Sequence, residues 1–182
     1  MDKKGSFLPI IVVMIASMFI AFYWDKVDFI RNSVNYVLNP SAGALLKMSI
    51  PYGLEIGMLV IVLLITLVTT IIQKYATDQK ALKGLREEQK LLQEEMKKYE
   101  KNPEKIAELS KKQFEFIPKT FKLTSRAILF TGIPFILFFR WFSDFFTTMG
   151  EPKFFGFLNW FWFYFIFTMI FSSFLRKWLK VV

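Results

Sequence analysis

Four apolar stretches, each close to the length of a bilayer-crossing helix, constrain the fold of this 182-residue chain more than any other feature. A helix needs about 20 predominantly apolar residues to cross the hydrocarbon core of a membrane. Only the third stretch contains charged residues. We therefore expect an all-α membrane protein. The stretches are Phe7 to Trp24, Ile56 to Ile72, Ala127 to Phe146 and Phe154 to Leu175.

The composition excludes most classes of enzyme. The chain is 54% hydrophobic and contains no His and no Cys. Without these residues there are no disulfides, thiol nucleophiles, histidine- or cysteine-based zinc motifs or serine–histidine triads. The sequence also lacks a glycine-rich phosphate-binding loop. We predict a protein that is not an enzyme and that uses no metal and no cofactor.

The distribution of basic residues predicts the orientation in a cell (plasma) membrane. The start, the charged middle segment and the end of the chain are rich in Lys and Arg, which favours the cytosolic side for all three. The predicted segments are an N-terminal anchor or signal-like span (1–26), an amphipathic outer-surface helix and turn (27–52), a first core span (53–73), a cytosolic hairpin (74–122), a second core span (123–147), an outer loop (148–153), a third core span (154–175) and a basic cytosolic tail (176–182).

The first apolar stretch has two interpretations. A short basic start followed by an apolar core is typical of a signal peptide, which is cleaved. The residues from Ala21 to Asp25 show no small-x-small cleavage pattern, which favours a retained anchor. In the next segment Phe29, Ile30, Val34 and Val37 recur at helical spacing, which predicts a helix lying on the outer membrane surface.

The charged middle segment predicts an antiparallel coiled-coil hairpin. Two rows of residues have the 3, 4, 3, 4, 3 spacing of a coiled-coil seam. Asn102 and Pro103 between them are typical of a helix start. No proline lies between Pro51 and Pro103, so the first core span can continue into the first arm, whereas Pro118 predicts an interruption of the second arm. The two rows are Leu82, Leu85, Gln89, Leu92, Met96, Tyr99 and Ile106, Leu109, Gln113, Phe116, Thr120, Leu123.

Polar residues of the core spans lie in only one half of the membrane, the cytosolic half. In the first core span they share one face of the helix. This pattern predicts a hydrophilic half-groove, open to the cytosol and closed by aromatic residues on the outer side. The alternative is that the hydroxyls bond to the backbone carbonyls of their own helices and that Arg126 extends to the lipid headgroups. The predicted groove residues are Thr66, Thr69, Thr70, Gln73, Ser125, Arg126, Thr168 and Ser172.

Basic residues cluster near the tip of the predicted hairpin. Such a cluster suits an anionic partner such as ribosomal RNA or lipid headgroups. The alternative is a solvated spacer whose charges pair with one another. The predicted docking residues are Lys90, Lys97, Lys98, Lys101 and Lys105.

The order of these parts resembles the YidC-like membrane protein insertases, in particular their short archaeal branch with a three-span core. The resemblance covers Val27 to Leu179 and depends on the two hairpin seams, the Thr66/Thr69/Thr70/Gln73 face and Arg126. It implies a hydrophilic groove and a hairpin that deliver substrate helices to lipid. In bacterial members a groove arginine lies on the first core span, whereas here that span is uncharged and Arg126 lies on the next.

The sequence therefore predicts a membrane protein insertase or chaperone. Its expected partners are nascent membrane proteins, the ribosome and the lipid bilayer. We expect no binding to DNA, and we expect the protein to function as a monomer. One alternative is a membrane-anchored receptor whose coiled coil recruits a targeting factor or the ribosome. A second alternative is an oligomeric channel.

Overall fold

The computed structural model describes residues 8–181, which form helices joined by short connections. Within these residues there is no β-strand, only an isolated bridge between Phe154 and Leu158. The predicted all-α class is confirmed. The helices are α1 (Leu8–Tyr23), α2 (Asp28–Leu38), a π-helical turn (Asn39–Gly43), α3 (Ala44–Ser49), a 3-10 turn (Ile50–Tyr52), α4 (Leu54–Ala76), α5 (Gln79–Lys98), α6 (Pro103–Thr148) and α7 (Trp160–Leu179).

Two of the described helices, α4 and α6, are long and apolar enough to cross a membrane, and the apolar part of α1 is shorter. In the apolar 18-residue segment of each helix, only 33% of α4 and 17% of α6 is buried inside the protein. The core helix of a soluble protein would bury most of such a segment, so these surfaces suit lipid. Helix α7 is not apolar enough to be counted with them, because tryptophan, tyrosine and basic residues interrupt its phenylalanines.

The first core span and the first hairpin arm are separate helices, so the structure does not show the continuous helix that the sequence allowed. Thr77 is extended (φ −113°, ψ 137°) and ends α4. The Asp78 carboxylate then accepts a hydrogen bond of 2.9 Å from the amide of Ala81 and begins α5. An N-capping aspartate stabilises a helix start. The break between α4 and α5 is therefore explained by this cap and needs no proline.

The second arm and the second core span form one helix, α6, of 46 residues. The predicted interruption at Pro118 is wrong, because α6 continues through both Pro118 and Pro134. Phe116 and Leu123, on either side of Pro118, belong to the apolar cluster that joins the two arms. Packing on both sides of the proline offsets its missing amide hydrogen bond.

The hairpin has a small apolar core of its own. Leu85 and Leu92 of α5 pack with Leu109 and Phe116 of α6. At the tip, the Asn102 side chain accepts a hydrogen bond of 3.1 Å from the amide of Lys105, so the predicted helix start after Asn102 is observed. We refer to the end of α4, α6 and α7 next to this hairpin as the hairpin end, and to the opposite end as the loop end.

The main hydrophobic core lies at the loop end. It joins α3, α4, α6 and α7 with the loop that precedes α7. Most of its large side chains are aromatic, which accounts for part of the high phenylalanine content. Its buried members are Leu46, Met58, Ile61, Val62, Trp141, Phe142, Phe145, Phe146, Phe154, Phe163 and Tyr164.

Helix α1 and the start of α2 are fixed to α6. The Asp144 carboxylate accepts a hydrogen bond of 2.8 Å from the buried indole of Trp24 and pairs with Arg31 at 3.0 Å. Arg140 pairs with Asp25 at 3.0 Å, so the two charges of the third apolar stretch bind the α1–α2 connection. The first seven residues of the predicted anchor and the last residue of the predicted tail lie outside the described residues.

Candidate functional site

A polar cavity of about 360 Å³ lies at the hairpin end. The end of α4, the base of α5, the middle of α6 and the end of α7 surround it. We call it the polar cavity. Its lining combines hydroxyl, amide and guanidinium groups with a few apolar side chains. The lining residues are Gln73, Thr77, Gln79, Leu82, Arg86, Gln89, Thr120, Thr124, Ala127, Ile128, Thr131 and Arg176.

Arg176 connects α7 to α4 at the wall of the polar cavity. One of its terminal nitrogens donates a hydrogen bond of 2.8 Å to the side-chain oxygen of Gln73, and its Nε donates one of 3.2 Å to Ser172. Both acceptors are neutral. The charge of Arg176 therefore keeps a fixed position without being neutralised by these contacts.

A second cavity of about 280 Å³ adjoins the polar cavity on the side of the loop end. We call it the apolar cavity. Thr131 lines both cavities, which places them side by side along α6. The surfaces change from polar to almost wholly apolar across this residue. The lining residues are Leu64, Ile65, Val68, Thr69, Ile72, Phe130, Thr131, Pro134, Phe135, Phe138 and Tyr164.

Aromatic contacts close the space between α6 and α7 toward the loop end. Phe139 packs edge-on against Tyr164, with ring centroids 5.3 Å apart, and against Trp160 at 5.6 Å. Ring contacts between these two helices join Phe135, Phe139, Phe142 and Phe146 to Trp160, Phe161 and Tyr164. These contacts hold the two helices together at the loop end.

A third cavity of about 630 Å³ lies between α6 and α7. It shares Arg176 with the polar cavity and Tyr164 with the apolar cavity. Thr168 and Ser172, two of the predicted groove residues, line it together with Ser173, whereas its other walls are mainly aromatic. We call it the lateral cavity, because it extends the same space sideways between the two helices.

The predicted polar face of α4 is divided between two environments. Gln73 lines the polar cavity and Thr69 lines the apolar cavity. Thr66 and Thr70 are both 2% exposed and line neither cavity. Their hydroxyls donate hydrogen bonds of 2.6 Å to the backbone carbonyls of Val62 and Thr66, respectively, which is the alternative that the sequence left open for them.

Ser125 and Arg126 lie on a different side of α6 from the polar cavity. The Ser125 hydroxyl donates a hydrogen bond of 2.9 Å to the carbonyl of Lys122. Arg126 is exposed and is not among the residues that line the polar cavity. Thr124, one or two positions earlier on α6, does line that cavity. The predicted lining residues are therefore on the correct turn of the helix but on the wrong face.

Several lining residues were not predicted as a site, most importantly Arg86 and Arg176. Sequence alone placed Arg86 on the hairpin and Arg176 in the basic tail. A local signal existed for Gln89 and Thr120, because both are polar residues at apolar positions of the hairpin seams. Both line the polar cavity, which explains why those positions are polar.

The predicted docking lysines lie on the hairpin. Lys90, Lys97, Lys98 and Lys101 are exposed, as a docking surface requires. Lys105 instead bonds to Glu108 at 2.7 Å. This hydrogen bond raises the pKa of Lys105 and, together with a second one from Lys112, lowers the pKa of Glu108.

Comparison with known proteins gives one match. A family model described as integral membrane protein EMC3/TMCO1-like matches residues 42–154, more than half of the chain. The matched region contains α4, α5 and α6, and it ends before α7 begins. No curated protein and no solved structure matches the chain.

Proposed function

Because this chain belongs to the EMC3/TMCO1-like family of integral membrane proteins, we propose that it is a membrane protein insertase. The family is related broadly to the Oxa1/YidC insertase superfamily. In this proposal α1, α4, the second half of α6 and α7 cross a plasma membrane, and the hairpin and both termini lie in the cytosol. The protein then represents an archaeal YidC-like insertase with a three-span core formed by α4, α6 and α7.

The single observation that carries the proposal is the succession of the polar and apolar cavities. The polar cavity lies at the hairpin end, the apolar cavity follows it, and aromatic rings close the loop end. A hydrophilic segment of a nascent chain would keep polar contacts as far as Thr131. Beyond that point only a shortened apolar barrier would remain before the opposite surface.

The energetic effect of such a half-groove is substantial. Placing one charged side chain at the centre of a bilayer costs about 2.5–3.5 kcal/mol on insertion scales. Polar groups and water in the cavity reduce this cost over half of the path. Each 1.36 kcal/mol removed from the barrier accelerates the step about tenfold. The transmembrane part of the substrate supplies the driving force by its own partition into lipid, so no nucleotide and no covalent chemistry are needed.

The lateral cavity provides a route for release. It adjoins the polar and apolar cavities and lies between α6 and α7, whose aromatic contacts lie at the loop end. A substrate helix leaving by this route would pass along the aromatic walls of the cavity and then enter lipid. Met169, which lines the lateral cavity, adds a flexible side chain that suits varied substrates.

The hairpin would bring the ribosome or the nascent chain to the groove. Its exposed lysines suit the phosphates of ribosomal RNA. Replacing Lys97, Lys98 and Lys101 with Glu should abolish co-sedimentation with ribosomes at low salt, and the same change at Lys74, Lys177 and Lys180 serves as a control. Equal loss in both variants would mean that total charge, not the tip, governs the interaction.

Site-specific crosslinking tests the groove directly. A photoreactive side chain at Thr124 or Gln73 should crosslink to a stalled nascent membrane protein with a hydrophilic tail. The same group at Arg126, which lies at the same depth but outside the polar cavity, should crosslink much less. Equal crosslinking at Thr124 and Arg126 would contradict a groove that guides the tail.

The two alternatives predict different results. A receptor or tether would keep its activity when α4 and α7 are replaced by inert apolar helices, whereas an insertase would lose it. An oligomeric channel requires a conducting outer half, yet the loop end is filled by buried aromatic side chains such as Phe142 and Phe146. Ion-flux measurements in liposomes distinguish a channel from an insertase.

A further inference from the structure

The polar cavity has the charge expected of an anion-binding site. The guanidinium groups of Arg86 and Arg176 both line it. None of the residues that line the cavity is acidic, and within residues 8–181 neither arginine forms a salt bridge. An anion between the two groups would be attracted by both positive charges.

The orientation of Arg176 favours the binding of a phosphate group. Its hydrogen bonds to Gln73 and Ser172 hold the guanidinium plane while leaving its charge uncompensated. A planar guanidinium binds phosphate oxygens through paired, charge-assisted hydrogen bonds. Thr120, on the α6 wall, adds a hydroxyl group. This combination of donors suits a phosphate group.

The depth of the site is that of a lipid headgroup. The last turn of α7 contains Arg176 and Lys177, and the last turn of α4 contains Lys74. Basic residues at the ends of membrane helices lie at the level of the headgroups on the cytosolic side. The adjoining apolar cavity, which shares Thr131 with the polar one, then extends into the hydrocarbon region.

We propose that the two adjoining cavities bind an anionic phospholipid. The phosphate lies between Arg86 and Arg176, and one acyl chain lies in the apolar cavity. A free phosphate ion would leave the apolar cavity unused, and an acidic peptide would have to place its backbone against apolar walls. The lipid uses the same cavity as the proposed substrate, but its binding does not require that the protein be an insertase.

The test measures lipid affinity on the purified, delipidated protein by native mass spectrometry. The probes are phosphatidylglycerol, phosphatidylcholine with the same acyl chains, glycerol phosphate and inorganic phosphate. Wild-type protein should bind phosphatidylglycerol about tenfold or more tightly than phosphatidylcholine. The headgroup of phosphatidylglycerol has a net negative charge, whereas the choline group of phosphatidylcholine balances the charge of its phosphate. The two soluble phosphates should bind still more weakly because they do not fill the apolar cavity.

The decisive variant is the double substitution Arg86→Gln with Arg176→Gln. It should weaken phosphatidylglycerol binding about tenfold or more and leave the weak phosphatidylcholine binding nearly unchanged. The matched control is Lys177→Gln with Lys180→Gln, which removes two charges from the same end of α7 outside the cavity. This control should change the affinity by less than about twofold, as expected for exposed charges.

Three outcomes would overturn the proposal: equal affinity of the wild type for the two lipids, equal loss in the control variant, or inorganic phosphate binding as tightly as phosphatidylglycerol. The last result would identify a free-anion site. The wild-type comparison remains decisive if the double variant does not fold. Because the measurement involves no insertion, failure of lipid binding leaves the proposed insertase function standing, and failure of insertion leaves the lipid site standing.

Discussion

The groove proposal predicts that threonines with the same local hydrogen bond should differ in function according to the cavity that they line. Thr124 and Thr131 donate to the carbonyls four residues earlier at 3.0 and 2.8 Å, and both line the polar cavity. Thr66 and Thr70 make the equivalent bond at 2.6 Å but are buried away from it. A Thr→Val pair at either place therefore removes the same backbone contact, and only the first pair removes hydroxyls from the cavity.

The hydroxyls of Thr124 and Thr131 donate their protons to the backbone. The expected size of the effect therefore follows from the hydrogen bond that each hydroxyl oxygen accepts from water or substrate in the cavity. One such bond contributes about 0.5–1.5 kcal/mol. Two lost hydroxyls should raise the insertion barrier by about 1–3 kcal/mol, which corresponds to roughly a 5- to 150-fold slower step. The expectation applies to substrates whose translocated tail is charged, because an apolar tail does not need the hydroxyls.

The assay measures protease protection of the tail of a single-span substrate in vesicles reconstituted with each variant. The Thr124→Val/Thr131→Val pair should slow protection of a charged tail and leave an apolar tail unaffected, whereas Thr66→Val/Thr70→Val should resemble the wild type. Equal slowing by both pairs, or no slowing by the first, would refute the claim that the polar cavity carries the substrate.

Three further predictions concern other parts of the molecule. Asp144→Asn weakens the charged hydrogen bonds to Trp24 and Arg31 and should destabilise the protein by about 1–3 kcal/mol, measured by thermal unfolding in detergent. The substitution Asp28→Asn, at an exposed position, should have little effect. Leu109→Ala, at a site that is 0% exposed, should cost about 2–5 kcal/mol and speed hydrogen exchange of the hairpin, whereas Leu91→Ala, 66% exposed, should not. The pKa of Glu108 is lowered from 4.5 by two lysines, so its contribution to hairpin stability is present above that value and is lost as the pH falls through the lowered pKa. Hydrogen exchange of the hairpin should respond to acid in this window in the wild type and less in Glu108→Gln.

Sequence reasoning was most reliable where a single helix decides the outcome. The asparagine and proline at the hairpin tip begin a helix because a side-chain cap needs only three neighbouring residues. It failed at Pro118 and at Thr77. The proline is tolerated because contacts with the other arm hold α6 on both sides of it, and the break at Thr77 depends on an aspartate cap that looks ordinary in a charged segment.

The partners of several charged groups likewise depend on the tertiary structure and not on the local sequence. Arg140 and Asp144 lie one turn apart on α6, but each binds a residue of the α1–α2 connection more than 100 positions away, Asp25 and Trp24 respectively. Arg86 and Arg176 line the same cavity from two different helices. Neither arrangement leaves a signal in the spacing of residues along the chain.

The sequence by itself determined that the chain is helical, which segments are apolar enough for lipid, and that polar residues gather at one end of the long helices. These properties depend on composition and on the 3.6-residue period, which are local. Only the tertiary structure decided which of those polar residues line the cavities and which are buried. That choice depends on how four helices rotate and tilt against one another, because a turn of about 100° between successive residues moves a side chain from a packed face to an open one.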